Sequence, residues 1–295
     1  MPVAPRSRTR GAAALVLTAT LALGAVACSD DSSDSNAAPT PTEPVAVVDD
    51  AALTAAIESY RTYVIDQVDQ MQTDAKVLTD AVRSGDLAGA QAAYAPSRQT
   101  WERIEPVAGL VEELDGKLDA RVDDFEGEDD PEFTGWHRIE YILFDLGTTT
   151  SAVVFADQLD ADLQVLADEI TEVDFDAEVV AIGPSELIAE VSEGKITGEE
   201  DRYSGTDLWD FAANVEGAAE VLSVLEPLLE EADPELLTEI DAAFEELEGE
   251  LAPYADGAGW MPYSALTEDD KEQMQASLGE LAELLAEVPG ALGLG

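Results

Sequence analysis

The sequence predicts an all-α protein. Three observations carry that reading. Beyond residue 50, apolar residues recur at three- and four-residue steps over most of the chain. Ala, Leu, Glu and Asp dominate, with only 6% aromatics. Strand-like alternation is nearly absent. With 46% hydrophobic residues over 295 positions, the chain can bury a large core. The expected architecture is a set of antiparallel helices around an elongated core.

The first helix starts near Asp50. Leu53, Ile57, Tyr60, Val64, Val68 and Met71 mark its apolar face, which continues through Val77, Leu78 and Val82. Ser84-Gly85-Asp86 ends it, with Asp86 placed to cap the next helix. That second helix carries Leu87, Tyr94, Trp101 and Ile104; Pro96 is expected to kink it and Pro106 to close it. A third helical segment is expected over 109–124, followed by the loop FEGEDDPEFTGW and a helix over 137–146. Further helices are expected at 151–171, 176–193, 206–231, 234–254 and 267–287, with Gly, Pro or capping residues at most joints. A weak echo links two parts of the chain. SGDLAGAQAAYAPSRQTWERIEP and EADPELLTEIDAAFEELEGELAPY each follow a long helix, and each reads as acidic turn, helix, proline.

Residues 1–27 read as an export signal: Arg6, Arg8 and Arg10 precede the apolar run GAAALVLTATLALGAVA. The run is too short for a transmembrane helix. Cys28, the sole cysteine, follows Ala25-Val26-Ala27 and resembles the acylated cysteine of a bacterial lipobox, with Ala25 where Leu is usual. The same Ala-Val-Ala suits ordinary signal peptidase, which would leave Cys28 a free thiol. Acyl chains (palmitate among them) on Cys28 would anchor the mature protein at the outer face of the cell membrane. Residues 28–49, rich in Ser, Asp, Pro and Thr, read as a flexible tether. Residues 50–295 form the expected helical domain.

Charge and composition exclude several functions. A net charge of −51, from 65 acidic and 14 basic residues, rules against nucleic-acid binding, because such a surface repels phosphates. One cysteine excludes a disulfide framework and Cys-rich zinc modules. One histidine excludes a two-histidine HExxH zinc site. The acidity itself reads either as a solvated surface or as a field that concentrates cations.

The candidate chemistry lies around that histidine. In Thr134-Gly135-Trp136-His137-Arg138-Ile139-Glu140-Tyr141, a helix projects His137 and Glu140 from one face, where they can grip one cation. The HxxE pattern alone is weak and also fits a hydrogen-bonded surface histidine. Trp101-Glu102-Arg103-Ile104-Glu105-Pro106 places two carboxylates at a helix C-terminus, where the macrodipole disfavours them by about 0.3–1 kcal/mol each. A bound cation, or Arg98 and Arg103, would offset that cost; fraying into solvent would make it small.

TGWHRIEYILF, WERIEPVA and above all KITGEEDRYSGTDLWDFAANVEGA (Lys195–Ala218) resemble the imelysin-like domain of EfeO-type iron-uptake components. The likeness covers most of 50–290. It implies an all-helical fold of two related four-helix bundles, in the single-domain form without an N-terminal cupredoxin domain. It also implies an extracytoplasmic iron-binding lipoprotein that passes metal to an iron permease, with a haem peroxidase in the same system. The metal-site acids implied are Glu102, Glu105, Asp119 and Glu200 beside His137 and Glu140. Glu200 is the least certain in register, having Glu199 and Asp201 as neighbours. Relatives commonly carry His where this chain has Gly205 in YSGTDLWDF. Within that block Leu208, Trp209 and Phe211 are expected in the core, with Thr206 capping the helix.

Carboxylates plus one imidazole make an oxygen-rich set suited to iron, Fe2+ or Fe3+, although manganese, copper(II) and zinc would also bind. The leading expectation is a binding protein without turnover. The alternatives are a metal-dependent peptidase of the imelysin type, which the absent HExxH arrangement disfavours, and a polymer-binding surface module.

Overall fold

A computed structural model describes residues 49–294. The export signal read over 1–27, Cys28 and nearly all of the tether lie outside the described residues. Helix α1 (Asp50–Ser84) begins where the apolar periodicity begins. The Asp49 carboxylate accepts the N–H groups of Ala51 and Ala52, and Gly85 closes the helix at φ +80°. Helix α2 (Leu87–Ile104) is capped by Asp86, which accepts the Gly89 N–H at 2.9 Å, and it runs unbroken through Pro96.

The segment expected as one helix over 109–124 takes a different form. Pro106 cannot donate to an α-helical ladder, and Glu105–Val111 winds as a seven-residue 3-10 helix. Helix α3 (Glu112–Leu118) is short, and a further 3-10 turn covers Val122–Asp124. Helix α4 (Gly135–Glu140) runs on into a π-turn, Tyr141–Asp145. Both irregular windings flank the residues that the sequence singles out. Helices α5 (Val153–Glu169), α6 (Ala177–Glu193), α7 (Asp207–Ala232), α8 (Pro234–Leu251) and α9 (Glu268–Leu285) follow, then the short α10 (Val288–Ala291). Asp176, Asp233 and Thr267 cap α6, α8 and α9 with their side chains. Strand pairing among the described residues is confined to a small hairpin, β1 (Ala255–Asp256) with β2 (Gly259–Trp260).

The protein is thus all-α, and its helices close into two rings. In the first, α1 packs on α2 and α5, and α4 bridges α2 to α5. In the second, α6, α7, α8 and α9 each pack on the next, with α9 returning to α6. The rings meet where α7 lies along α2 and α1. The echo in the sequence has a structural counterpart: α2 and α8 both end in 3-10 turns containing a proline, Pro106 and Pro253.

Apolar stripes hold the rings together. Tyr60, Val64, Met71 and Leu78 of α1 are fully buried, as are Leu229, Ile240, Leu247 and Leu281 of the second ring. Each such side chain contributes about 1.5–3 kcal/mol of transfer free energy. Exposed ion pairs such as Lys76–Asp80 and Lys117–Glu113 add little beside that. No helix among the described residues is long and apolar enough to cross a membrane.

The seam between the rings depends on one close approach. Gly217 of α7 lies directly on the backbone carbonyl of Arg103 in α2, in space that a Cβ would fill. Gly217→Ala is expected to lower stability by about 1–3 kcal/mol, because both contact atoms are backbone and cannot yield cheaply. Urea denaturation checks this; an unchanged midpoint would show that the seam yields to an added methyl group.

Candidate metal centre

Tyr94, Arg98 and Glu102 occur at four-residue spacing on α2 and so share its face toward α4 and α7. Arg98 has no exposed surface. Its guanidinium reaches carboxylates from four parts of the chain. It pairs with Glu102 one turn away and with Asp119 beyond α3. It lies 3.4 Å from Glu200 Oε1, 3.8 Å from Asp201 Oδ1 and 3.3 Å from Asp210 Oδ2. The Trp136 ring covers it at 5.9 Å from the centroid.

His137, on α4, is 2% exposed. Its Nδ1 lies 3.4 Å from Glu140 Oε2, 3.5 Å from the Tyr94 hydroxyl and 3.9 Å from Asp201 Oδ1. Its Nε2 faces the other way, 3.5 Å from Asp119 Oδ1 and 3.6 Å from Glu200 Oε1, and has no hydrogen-bond partner. Two groups of donors therefore lie close enough to share an ion: Asp119, His137 and Glu200 on one side of the ring, and His137, Glu140 and Asp201 on the other. Glu140 is heavily engaged. Its Oε1 accepts the N–H groups of Tyr203 and Ser204 at 2.9 and 2.7 Å and the Ser204 hydroxyl at 2.9 Å.

Glu102 and Glu105 turn to a different cation. Lys195 Nζ lies 2.9 Å from Glu102 Oε2 and 2.7 Å from Glu105 Oε2, and Asn214 Nδ2 donates to the same two oxygens. Arg98 and Lys195 thus offset the macrodipole cost at the end of α2. Arg103 does not take part, since it pairs with Glu216 at the surface.

Burial and charge pull the titrations apart. Burial and Arg98 push the His137 imidazolium down, yet Glu140, Glu200 and Asp119 outweigh them and bring it up to about 9. Burial alone would raise Glu200, but Lys195, His137 and Arg98 hold its carboxyl well below the usual range. Burial raises Glu105 and Asp210 well above that range despite Lys195 and Arg98 beside them.

A cleft of about 750 Å³ connects this interior to solvent. Asp119, Glu200, Glu105 and Lys195 line it, together with Glu112, Asp115, Asp124, Glu186 and Glu190. Asp115 is pushed up to about 7 by burial and by the neighbouring charges of Asp119 and Glu190. Arg121, at the rim, donates to Glu200 Oε2 at 3.0 Å. A passage of this charge attracts cations and turns anions away.

At 199–201, Glu199 is exposed, while Glu200 and Asp201 are both buried. The sequence pattern assigns no role in the site to Asp210, Tyr94, Asn214 or Lys195, and Asp201 enters only as a neighbour in the register of Glu200. A signal existed for two of them, because Asp210 and Asn214 are polar residues four apart on the apolar face of α7. Thr206 stands at the start of α7 without capping it; its hydroxyl instead donates to Asp201 Oδ2 at 2.5 Å. Leu208 and Phe211 are in the core as expected, whereas Trp209 is half-buried and covers Gly259 of the hairpin. Gly205 has φ +70° with open space at its Cβ position, so a side chain would find room but a strained backbone.

Residues 56–288 match the model of the imelysin family (peptidase M75). The chain belongs to the imelysin family. The iron uptake system component EfeO of Yersinia pseudotuberculosis is 49% identical to it over 247 residues, 83% of this chain and 66% of the relative. The protein of the same name from Escherichia coli O157:H7 is 46% identical over 244 residues, 82% of this chain and 65% of the relative. The chain therefore spans just under two thirds of the length of these relatives.

In this imelysin domain, Arg98 is the group that makes the carboxylate cluster tolerable. Removing one partner from a buried ionic network costs about 3–5 kcal/mol, because the others remain as uncompensated charges. Arg98→Ala is expected to lose that much in urea denaturation. Arg98→Lys is expected to recover only part of it, since an ammonium cannot reach so many carboxylates at once. A loss below about 1 kcal/mol for Arg98→Ala would show that the acids are already protonated in the folded state.

Proposed function

We propose that this imelysin domain captures iron outside the cytoplasmic membrane as part of an EfeO-type uptake system and delivers it to an iron permease. The observation that carries the reading is the Nε2 of His137. It is a buried ring nitrogen without a hydrogen-bond partner, set between Asp119 and Glu200, both of which line an acidic cleft. One imidazole and several carboxylates suit iron in either oxidation state, with manganese or zinc as competing ions. The similarity to EfeO proteins supports iron as the cargo.

In this reading Asp119, Glu200 and His137 Nε2 hold the ion. Glu140 sits on the opposite ring nitrogen, where it fixes the orientation and tautomer of the imidazole, as partners of metal-bound histidines do. Glu102 and Glu105 stand one step further out, on Lys195. Acylation at Cys28 would keep the domain at the membrane, near the permease and the haem peroxidase of the same system. A peptidase reading would need a free general base beside the metal. Three donors already occupy Glu140 Oε1, and Oε2 faces His137, so the site is better arranged to hold an ion than to move protons.

Calorimetric titration with Fe2+ under anaerobic conditions tests the assignment. The double variant His137→Ala with Glu140→Ala is expected to lose tight binding while its helical circular dichroism persists. Glu140→Gln alone is expected to weaken binding by about 10–100-fold, the usual effect of losing a partner behind a metal-bound imidazole. Unchanged affinity in the double variant would overturn the site.

The same titration has a defined pH dependence. The His137 imidazolium in the metal-free protein titrates at about 9, so at neutral pH an arriving ion must displace its proton. Affinity should rise tenfold for each unit of pH between about 7 and 9 and level off above. A flat profile would exclude His137 as a ligand.

A further inference from the structure

Lys195 carries the only buried ammonium among the described residues. Its Nζ stands 2.9 Å from Glu102 Oε2, 2.9 and 2.7 Å from the two Glu105 oxygens and 3.7 Å from Glu200 Oε1. That is the position of a cation among three carboxylates. The same Glu200 oxygen lies 3.6 Å from His137 Nε2, so Lys195 and the proposed ion share a ligand. Three donors from His137, Asp119 and Glu200 leave an iron ion short of a full coordination shell, and Lys195 holds two further carboxylates, Glu102 and Glu105, beside the shared Glu200.

Two features separate Lys195 from Arg98. Arg98 is sealed on every side, whereas Lys195 lines the cleft. Arg98 projects from a long helix, whereas Lys195 begins a three-residue turn, Lys195–Thr197, set between Gly194 and Gly198. Asp115 and Glu190 line the same cleft and offer the ammonium another place to rest.

We propose that Lys195 is a tethered counter-ion that an arriving multivalent metal displaces, freeing Glu102 and Glu105 to complete the coordination begun by His137, Asp119 and Glu200. The inference rests on the metal-site reading above. The step is an ion exchange: the metal enters, the ammonium swings outward still protonated, and no covalent bond changes. The exchange discriminates by charge. A monovalent ion gains no more from these carboxylates than the ammonium does, and the tether gives the ammonium a high effective concentration. A divalent or trivalent ion interacts two or three times as strongly with the same oxygens and wins. Lys195 thereby excludes sodium and potassium from a site whose acids would otherwise accept them.

The test compares the full chain with its Lys195→Met variant in anaerobic Fe2+ titrations, with ionic strength set by KCl or by the bulky tetramethylammonium chloride. Lys195→Met is expected to bind Fe2+ about tenfold tighter or more, since its competitor is gone. Its affinity is expected to fall when KCl replaces the bulky salt, and the wild-type affinity is not. Equal or weaker Fe2+ binding by the folded variant would overturn the proposal. Should the variant not fold, the wild type supplies the second measurement: the rate at which an amine-acetylating reagent labels Lys195, read by peptide mass spectrometry. Fe2+ is expected to speed that labelling by exposing the ammonium; an unchanged or slower rate would overturn the proposal. Wild-type protein that binds Fe2+ through His137 with Lys195 still protected sinks this inference alone. Wild-type protein that binds no Fe2+ sinks the metal site and this inference together.

Discussion

A single guanidinium makes the interior of this protein possible. Glu102, Asp119, Glu200, Asp201 and Asp210 come from four stretches of chain, and without a cation among them their mutual repulsion would keep the stretches apart. Arg98 lies within 4 Å of all five. A lysine could not do the same, because its point charge cannot present donors in several fixed directions. Even so, the carboxylates outnumber Arg98 and Lys195. The His137 imidazolium offsets part of the remaining charge, and the rest costs stability unless protons or another cation share it.

The fold explains how such a cluster is held. It lies at the seam between the two helical rings, where α2 meets α7, so neither ring alone contains all the acids. Two windings that depart from α-helix occur beside it: the 3-10 stretch that starts at Glu105 and the π-turn after Glu140. The loop carrying Glu200 and Asp201 has no helix of its own and is held from outside. Tyr263 donates its hydroxyl to the Ile196 carbonyl at 2.8 Å and its N–H to the Gly205 carbonyl at 2.9 Å, and Trp209 rests on Gly259. The hairpin and the Tyr263 turn that follow α8 thus help to hold the site's loop in place, a role that their sequence, ADGAGWMPY, does not suggest.

Periodicity revealed the long helices because each buries a stripe with a 3.6-residue repeat, and their capping residues Asp86 and Gly85 were equally plain. The 109–124 region misled. Its apolar spacing suits a helix, but Pro106 sets a tighter winding that spacing alone does not reveal. The HxxE pair was visible as two residues on one face. Its neighbours were not, because Asp201, Asp210 and Lys195 meet His137 and Glu102 only through tertiary packing. Local pattern cannot report a contact between residues about a hundred positions apart. Resemblance to the imelysin family suggested Asp119 and Glu200, which lie 3.5 and 3.6 Å from the Nε2 of His137. Lys195 lay inside the most distinctive block of the sequence and was still passed over, since a lysine among acids reads as an ordinary surface pair until its burial is known.

The account stands or falls on whether iron meets that ring nitrogen. X-ray absorption at the iron K-edge of the chain loaded with one equivalent of iron measures it directly. One imidazole should appear in a shell otherwise made of oxygen, at about 2.0–2.2 Å. A spectrum of oxygen donors alone, without imidazole scattering, would mean that the metal rests on surface acids and that the buried cluster serves another purpose.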